Sequence, residues 1–228
     1  MFDSYTKLLL HFENNVTDIA TGKIVTNTNV TFDNTDPKFN SYGVFNGTSS
    51  YLSIPDSDDF YFGTGNFTID FWVKFTTLTT NYTFMHQIGA VGSYWELSKG
   101  APLQGNKLAI RFKVEGNDKA DYKLDDVWSG VTTGVWYHLC FERVGTTAKI
   151  FIDGVSQILT ETVAFGTNDV GNINAALNIG LNYSASKLNG NLDELRISKG
   201  ITRWTENFTP PTHPYRQTKN ILPTFYRS

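Results

Sequence analysis

The chain has 228 residues, 14% of them aromatic and 18% charged, which is enough apolar mass for one sizeable core. A formal net charge of -3 supplies no basic excess for nucleic acid, and the sole cysteine, Cys140, excludes an intrachain disulfide or a cysteine-rich zinc site. No stretch approaches the roughly 18–20 apolar residues of a membrane span.

Along the chain the dominant hydrophobic period is two. In NFTIDFWVKF (66–75), Phe67, Ile69, Phe71 and Val73 fall on one side and Trp72 on the other, the pattern of a half-buried strand. In KLAIRFKV (107–114), Leu108, Ile110, Phe112 and Val114 alternate with Lys107, Arg111 and Lys113. Trp72 and Trp136 are expected in the core. His138, on a strand beside Trp136 and Cys140, reads as a hydrogen-bonded core histidine, and Cys140 as a small buried apolar residue. AKIFI (148–152) runs into Asp153-Gly154 and then VSQIL. Glycine accepts the positive φ that a tight hairpin turn needs, so this pair is the strongest turn signal. No long stretch has helical spacing, no repeat or linker marks a second domain, and the composition shifts only after Pro214.

Several segments carry a resemblance, in the right order. KLLLHFE (7–13), SYGVFNGTSSYLSIP (41–55), FGTGNFTIDFWV (62–73), GVWYHLCFER (134–143) and FIDGV (151–155) precede LNGNLDELRISKGITRWTENFTPP (188–211). Together they resemble the laminin-G-like jelly rolls of the concanavalin A-like lectin and glucanase superfamily, in the branch common in phage and bacterial surface proteins. The closing segment is the most specific, through Gly190, Asp193, Glu194, Arg196, Arg203, Trp204 and Phe208. The resemblance implies an all-β fold, a two-sheet antiparallel jelly-roll β-sandwich, over residues 1–215, with residues 216–228 as a tail. The alternation independently supports all-β.

Some glucanases of this fold aim closely spaced acids from one strand into a cleft. Here the nearest pair is Asp193-Glu194, and adjacent strand residues point to opposite faces, so no dyad and no catalytic residue is expected. His11, His86, His138 and His213 lie in no motif for nucleophilic or zinc chemistry. Related modules hold calcium where the first and last strands meet. Matched by position, the resemblance implies Ca²⁺ at Glu13 and Asp193. Asn46 and Ser50 stand where the family often has acids, which points to weak affinity or none.

A saccharide site needs aromatic faces for stacking and planar polar groups for hydroxyls. The candidates are Tyr94, Trp95, Arg111 and Trp128, the last in the loop-like stretch DDVWSGV where its ring is expected to be exposed. The tail carries Arg216, Lys219 and Arg227 without an acid, among Ile221, Leu222, Phe225 and Tyr226. It either packs on its own domain or docks on another protein. The start, MFDSYTKLLLHFENN, is too polar and acidic for a signal peptide, so a virion-surface or otherwise extracellular location is expected through assembly into a particle or after leader removal. The reading is a non-enzymatic, surface-displayed binding module: a phage virion decoration, fibre or receptor-binding protein. It would contact host-surface glycan, meet other virion proteins through residues 216–228, and gain avidity as a homo-oligomer. The alternatives are a purely structural virion subunit and an accessory domain of a carbohydrate-active enzyme.

Overall fold

The computed structural model describes residues 2–100, 105–181 and 187–216. The tail from residue 217 onward, where a docking role is expected, lies outside the described residues. In chain order the strands are β1 Thr6–Leu10, β2 Thr26–Thr28, β3 Thr31–Asp33, β4 Tyr42–Asn46, β5 Tyr51–Ile54, β6 Phe67–Phe75, β7 Tyr82–Ile88 and β8 Tyr94–Lys99. There follow β9 Leu108–Val114, β10 Asn117–Leu124, β11 Trp136–Val144, β12 Thr147–Ile152, β13 Val155–Ser156, β14 Leu159–Val163, β15 Leu177–Ile179 and β16 Asn189–Lys199. Among the described residues there is no α-helix, and no helix long and apolar enough to cross a membrane.

Two eight-stranded antiparallel sheets face each other. One runs β13-β12-β11-β6-β16-β4-β3, with β1 also paired to β16. The other runs β14-β10-β9-β8-β7-β15-β5-β2. The fold is the expected jelly-roll sandwich. Alternation decides what lies between the sheets. Phe67, Ile69, Phe71, Val73 and Phe75 of β6 point inward and are fully buried, against Leu97 of β8, Ile110 of β9 and Tyr122 of β10. Phe71 lies 5.1 Å from Phe84 and 6.2 Å from Phe141, so aromatic edges and faces fill the space with no disulfide needed. Asp153 (φ 49°) and Gly154 (φ 76°) form the expected left-handed hairpin turn between β12 and β13.

The two outer faces differ, and that difference decides where a ligand can reach. The outer face of the β6 sheet carries Thr68, Asp70 and Trp72 beside His138, Cys140 and Glu142 and beside Asp193, Arg196 and Ser198, all buried. The segment from Thr202 to Tyr215 lies across it as a strap. Oε1 of Glu142 accepts from the backbone N–H groups of Arg203 (3.0 Å) and Trp204 (3.2 Å) and pins the strap's start. The Trp204 and Phe208 rings stack 4.1 Å apart and meet His138 edge-on. Phe208 then crosses the tight turn, where a Cβ on Gly154 would lie 1.8 Å from the Phe208 carbonyl oxygen. The R-W-T…F segment is therefore a lid for this sheet.

Beneath the strap, Asp70 accepts from Arg196 Nε at 2.9 Å and Nη2 at 3.1 Å, and from the Tyr215 hydroxyl. His138 Nε2 lies 3.4 Å from that hydroxyl, so the histidine is buried and hydrogen-bonded as expected. Burial works to raise the Asp70 pKa, but the Arg196 charge and the His138 contact outweigh it and hold it down at about 2. Trp72 and Trp136 are not in the core between the sheets. Trp72 is buried on the outer face, with Lys38 Nζ 3.5 Å from its ring centroid, and Trp136 donates from Nε1 to the Asp36 carbonyl at 3.1 Å. Strand residues need not point at the main core when other segments, here Asp36, Lys38 and Phe39, cover the far face.

Candidate functional site

The open face belongs to the β8 sheet. Strand register places Asn178, His86, Glu96, Arg111 and Asp121 directly opposite one another across β15, β7, β8, β9 and β10. At about 4.8 Å per strand they form one polar row, roughly 19 Å long. Ser53 of β5 extends it beyond Asn178. Two residues along, Ile88, Tyr94, Lys113 and Asp118 form a parallel row on the same face. Every second residue of these strands points outward, and that alternation builds the face.

Arg111 sits at its centre. Its Nε donates to Asp121 at 3.1 Å, and its Nη1 lies 3.6 Å from Glu96 on the other side. Burial opposes the charge on Arg111, but its bond to Asp121 and the charges of Asp121 and Glu96 more than restore it. Burial raises the Glu96 pKa, with Arg111 pulling the other way. His86, 4% exposed, has its Nδ1 buried without a hydrogen-bond partner, and desolvation lowers its pKa to about 4, so the ring is neutral at pH 7. Tyr94 is half-buried beside Lys113, whose Nζ lies 6.0 Å from its ring centroid. The face thus offers one planar cation held between two carboxylates, a carboxamide and one phenol ring, with the neutral His86 imidazole buried beneath them.

Of the four residues expected to contact saccharide, the structure brings Tyr94 and Arg111 together on this face. It excludes Trp95, which points inward, is 1% exposed, stacks on Phe112 at 5.9 Å and donates from Nε1 to Gln87 at 2.6 Å. Trp128 is in a loop as expected, but its ring is not exposed. At 9% exposure it packs edge-on against Phe75 and Tyr137, with centroids 6.0 and 5.0 Å away. Its face is therefore not offered for stacking. Sequence reasoning missed His86, Glu96, Asp121 and Asn178. Glu96 was within reach of the same argument, standing two residues from Tyr94 on one strand; the others join Arg111 only through cross-strand register.

Glu13 and Asp193 lie at the junction of the first and last strands. Asp193 is buried. Its Oδ2 accepts from Phe39 N at 3.0 Å, while its Oδ1 is buried without a partner. Burial, followed by repulsion from Glu194 and Glu13, raises its pKa to about 8 against a hydrogen bond from Phe39. Glu13 accepts from Asn40 Nδ2 at 2.8 Å. The expected opposition of Asp193 and Glu194 does not hold. A β-bulge shifts the register between Asp193 and Arg196, and Glu194 takes φ 50°, so both acids lie off the inward set of Leu192, Leu195 and Ile197. Glu194 is nonetheless committed, to His11 Nδ1 and to Tyr215 N at 2.7 Å. The orphaned Oδ1 of Asp193 and the hard-oxygen donors beside it suit a calcium ion. Among the described residues no three His, Cys, Asp or Glu side chains converge on one point, so an ion here would also need backbone carbonyls and water.

The family described as the concanavalin A-like lectin/glucanases superfamily, of laminin-G type, matches residues 46–206. The chain belongs to that superfamily. No curated protein matches it. Among solved structures, domain 4 of AbnA, a GH43 extracellular arabinanase from Geobacillus stearothermophilus, in complex with arabinotriose, is similar at 21% identity and TM-score 0.60, over 86% of this chain and 92% of that one. The botulinum neurotoxin serotype D binding domain is similar at 16% identity and TM-score 0.61, over 87% of this chain and 49% of that one. The binding domain of botulinum neurotoxin DC, in complex with rat synaptotagmin II, gives 15% identity and TM-score 0.64, over 89% and 50%. This concanavalin A-like chain spans about half the length of those neurotoxin domains. At such identities the likeness is one of fold.

Proposed function

We propose that this chain is a non-catalytic, surface-displayed carbohydrate-binding module, and that its ligand lies along the open face of the β8 sheet. The observation carrying this reading is the in-register row Asn178–His86–Glu96–Arg111–Asp121 with Tyr94 beside it. Vicinal hydroxyls can donate to Glu96 and Asp121 and accept from Arg111, while the Tyr94 ring takes a sugar C–H face. Arg111 stands between Glu96 and Asp121 and pairs with both carboxylates. The acids of β16 are buried, Glu194 under Tyr215 of the strap and Asp193 under Phe39. Similarity to an arabinanase domain solved with arabinotriose, and to binding domains of toxins, supports a binding role. A shallow face binds weakly, so display in many copies on a phage virion, as decoration, fibre or receptor-binding protein, would supply avidity toward host-surface glycan. The arabinanase likeness favours, as a second reading, an accessory domain of a carbohydrate-active enzyme. Affinity electrophoresis through arabinan and other polysaccharide gels, run beside a reducing-sugar assay, tests the pair of claims. Retardation without sugar release is expected; release lost in Glu96→Gln would make the face catalytic.

For Glu13 and Asp193 we propose weak calcium binding, in the roughly 10⁻⁴–10⁻³ M range of extracellular modules. Moving from chelator to calcium at a hundredfold excess over Kd should then stabilise the fold by about 2.7 kcal/mol, and Asp193→Asn should abolish the difference. Superimposable melts of the native chain in both conditions would leave Asp193 as a backbone hydrogen-bond acceptor only.

A further inference from the structure

A second surface feature lies away from the saccharide face, where the two sheets share an edge. The hairpin from β13 through Gln157 and Ile158 into β14 joins the outermost strand of one sheet to the outermost strand of the other. Beside it opens a cleft of about 400 Å³ with Trp128 among its lining. Val127, Val155 and Ile158 around it are 57%, 52% and 76% exposed, an apolar cluster that water covers at a cost. Asp126 lines the same cleft, and Glu161 is exposed on β14, which among the described residues pairs only with β10. A strand edge without a partner among the described residues, next to a cleft lined by Asp126 and rimmed by Val127, Val155 and Ile158, suits an extended peptide with apolar and basic side chains.

We propose that this cleft receives residues 217–228 of the same chain. That segment carries Lys219 and Arg227 and no acid, with Ile221, Leu222, Phe225 and Tyr226 as apolar anchors. Its charge is opposite to that of Asp126 and Glu161. The reach also fits. Tyr215 is fixed over β6 and β16 by Asp70 and Glu194, and β13 lies three strands away. Three strand spacings of about 4.8 Å plus a sheet separation of about 10 Å make roughly 24 Å. Twelve extended residues cover up to about 40 Å. The peptide would add along β14 and seat an aliphatic or aromatic anchor among Val127, Val155 and Ile158, leaving the open face of the β8 sheet free for its own ligand.

The test is limited trypsinolysis of the full chain, following cleavage after Lys219 by mass spectrometry. Cleavage in the native chain should be at least about tenfold slower than in a synthetic peptide of residues 214–228, because protease reads the undocked population. Ile158→Asp and, separately, Val127→Asp should bring the rate close to that of the peptide while the domain keeps a cooperative melt near the native temperature, since neither side chain belongs to the core between the sheets. Native cleavage as fast as the peptide's overturns the proposal, as does protection that both variants retain. Protection that weakens on dilution, with a matching dimer in sedimentation, overturns the same-chain assignment in favour of a second copy.

Discussion

Replacing Asp70 with Ala is expected to cost about 3–5 kcal/mol, because it strands the buried Arg196 guanidinium without its partner. Asp70→Asn keeps the shape but not the charge and should lose most of the same stability. The pH dependence follows from the direction of the shift. A carboxyl held down at about 2 in the folded chain contributes stability that is fully present above the ordinary value of 3.8 and is lost as pH falls toward 2. The shift corresponds to roughly 2 kcal/mol. Denaturant titrations at pH 6, 4 and 2.5 should therefore show the native chain weakening between the last two, with that step reduced in Asp70→Asn. A variant as stable as the native chain at pH 6 would mean that Arg196 finds water or another acceptor under the strap.

The second large effect concerns Trp95. Trp95→Ala empties a site shared with Phe112, Phe62 and Gln87 and is expected to destabilise by about 3–5 kcal/mol. Trp95→Phe keeps the ring stack, loses the hydrogen bond to Gln87 and should cost less. Saccharide binding per folded molecule should be unchanged in Trp95→Phe. Loss of binding with native stability would return Trp95 to the ligand face.

These two residues also show how far the sequence could be read. Strand alternation put Phe67, Ile69, Phe71 and Val73 together on one side and Arg111 on a polar face, and the structure turns the first set inward and Arg111 outward. For Tyr94 and Trp95 the pattern says only that one faces each way. Phase depends on which face the whole strand buries, and pairing of Trp95 with Phe112 and Gln87 decides it. Trp128 reads as a loop residue, but its burial comes from Phe75 and Tyr137, which local sequence does not bring near. The Glu194 bulge needs a left-handed conformation at a non-glycine residue, for which sequence carries almost no signal. The strap was visible as a motif, whereas its role as a lid was not, because what it covers is the outer face of a sheet assembled from distant segments.

Glycan is proposed to bind along the row containing Arg111, with Tyr94 beside it. The most direct measurement compares multimerised native chain, Tyr94→Ala and Arg111→Ala on one glycan array that includes arabino-oligosaccharides and ganglioside headgroups. The native chain should bind a defined subset. Each variant should fall by about tenfold or more, roughly 1.4 kcal/mol per site before avidity, with its melting temperature confirming a folded domain. Binding that both variants retain in full, or a native chain that binds no glycan above background, would contradict it.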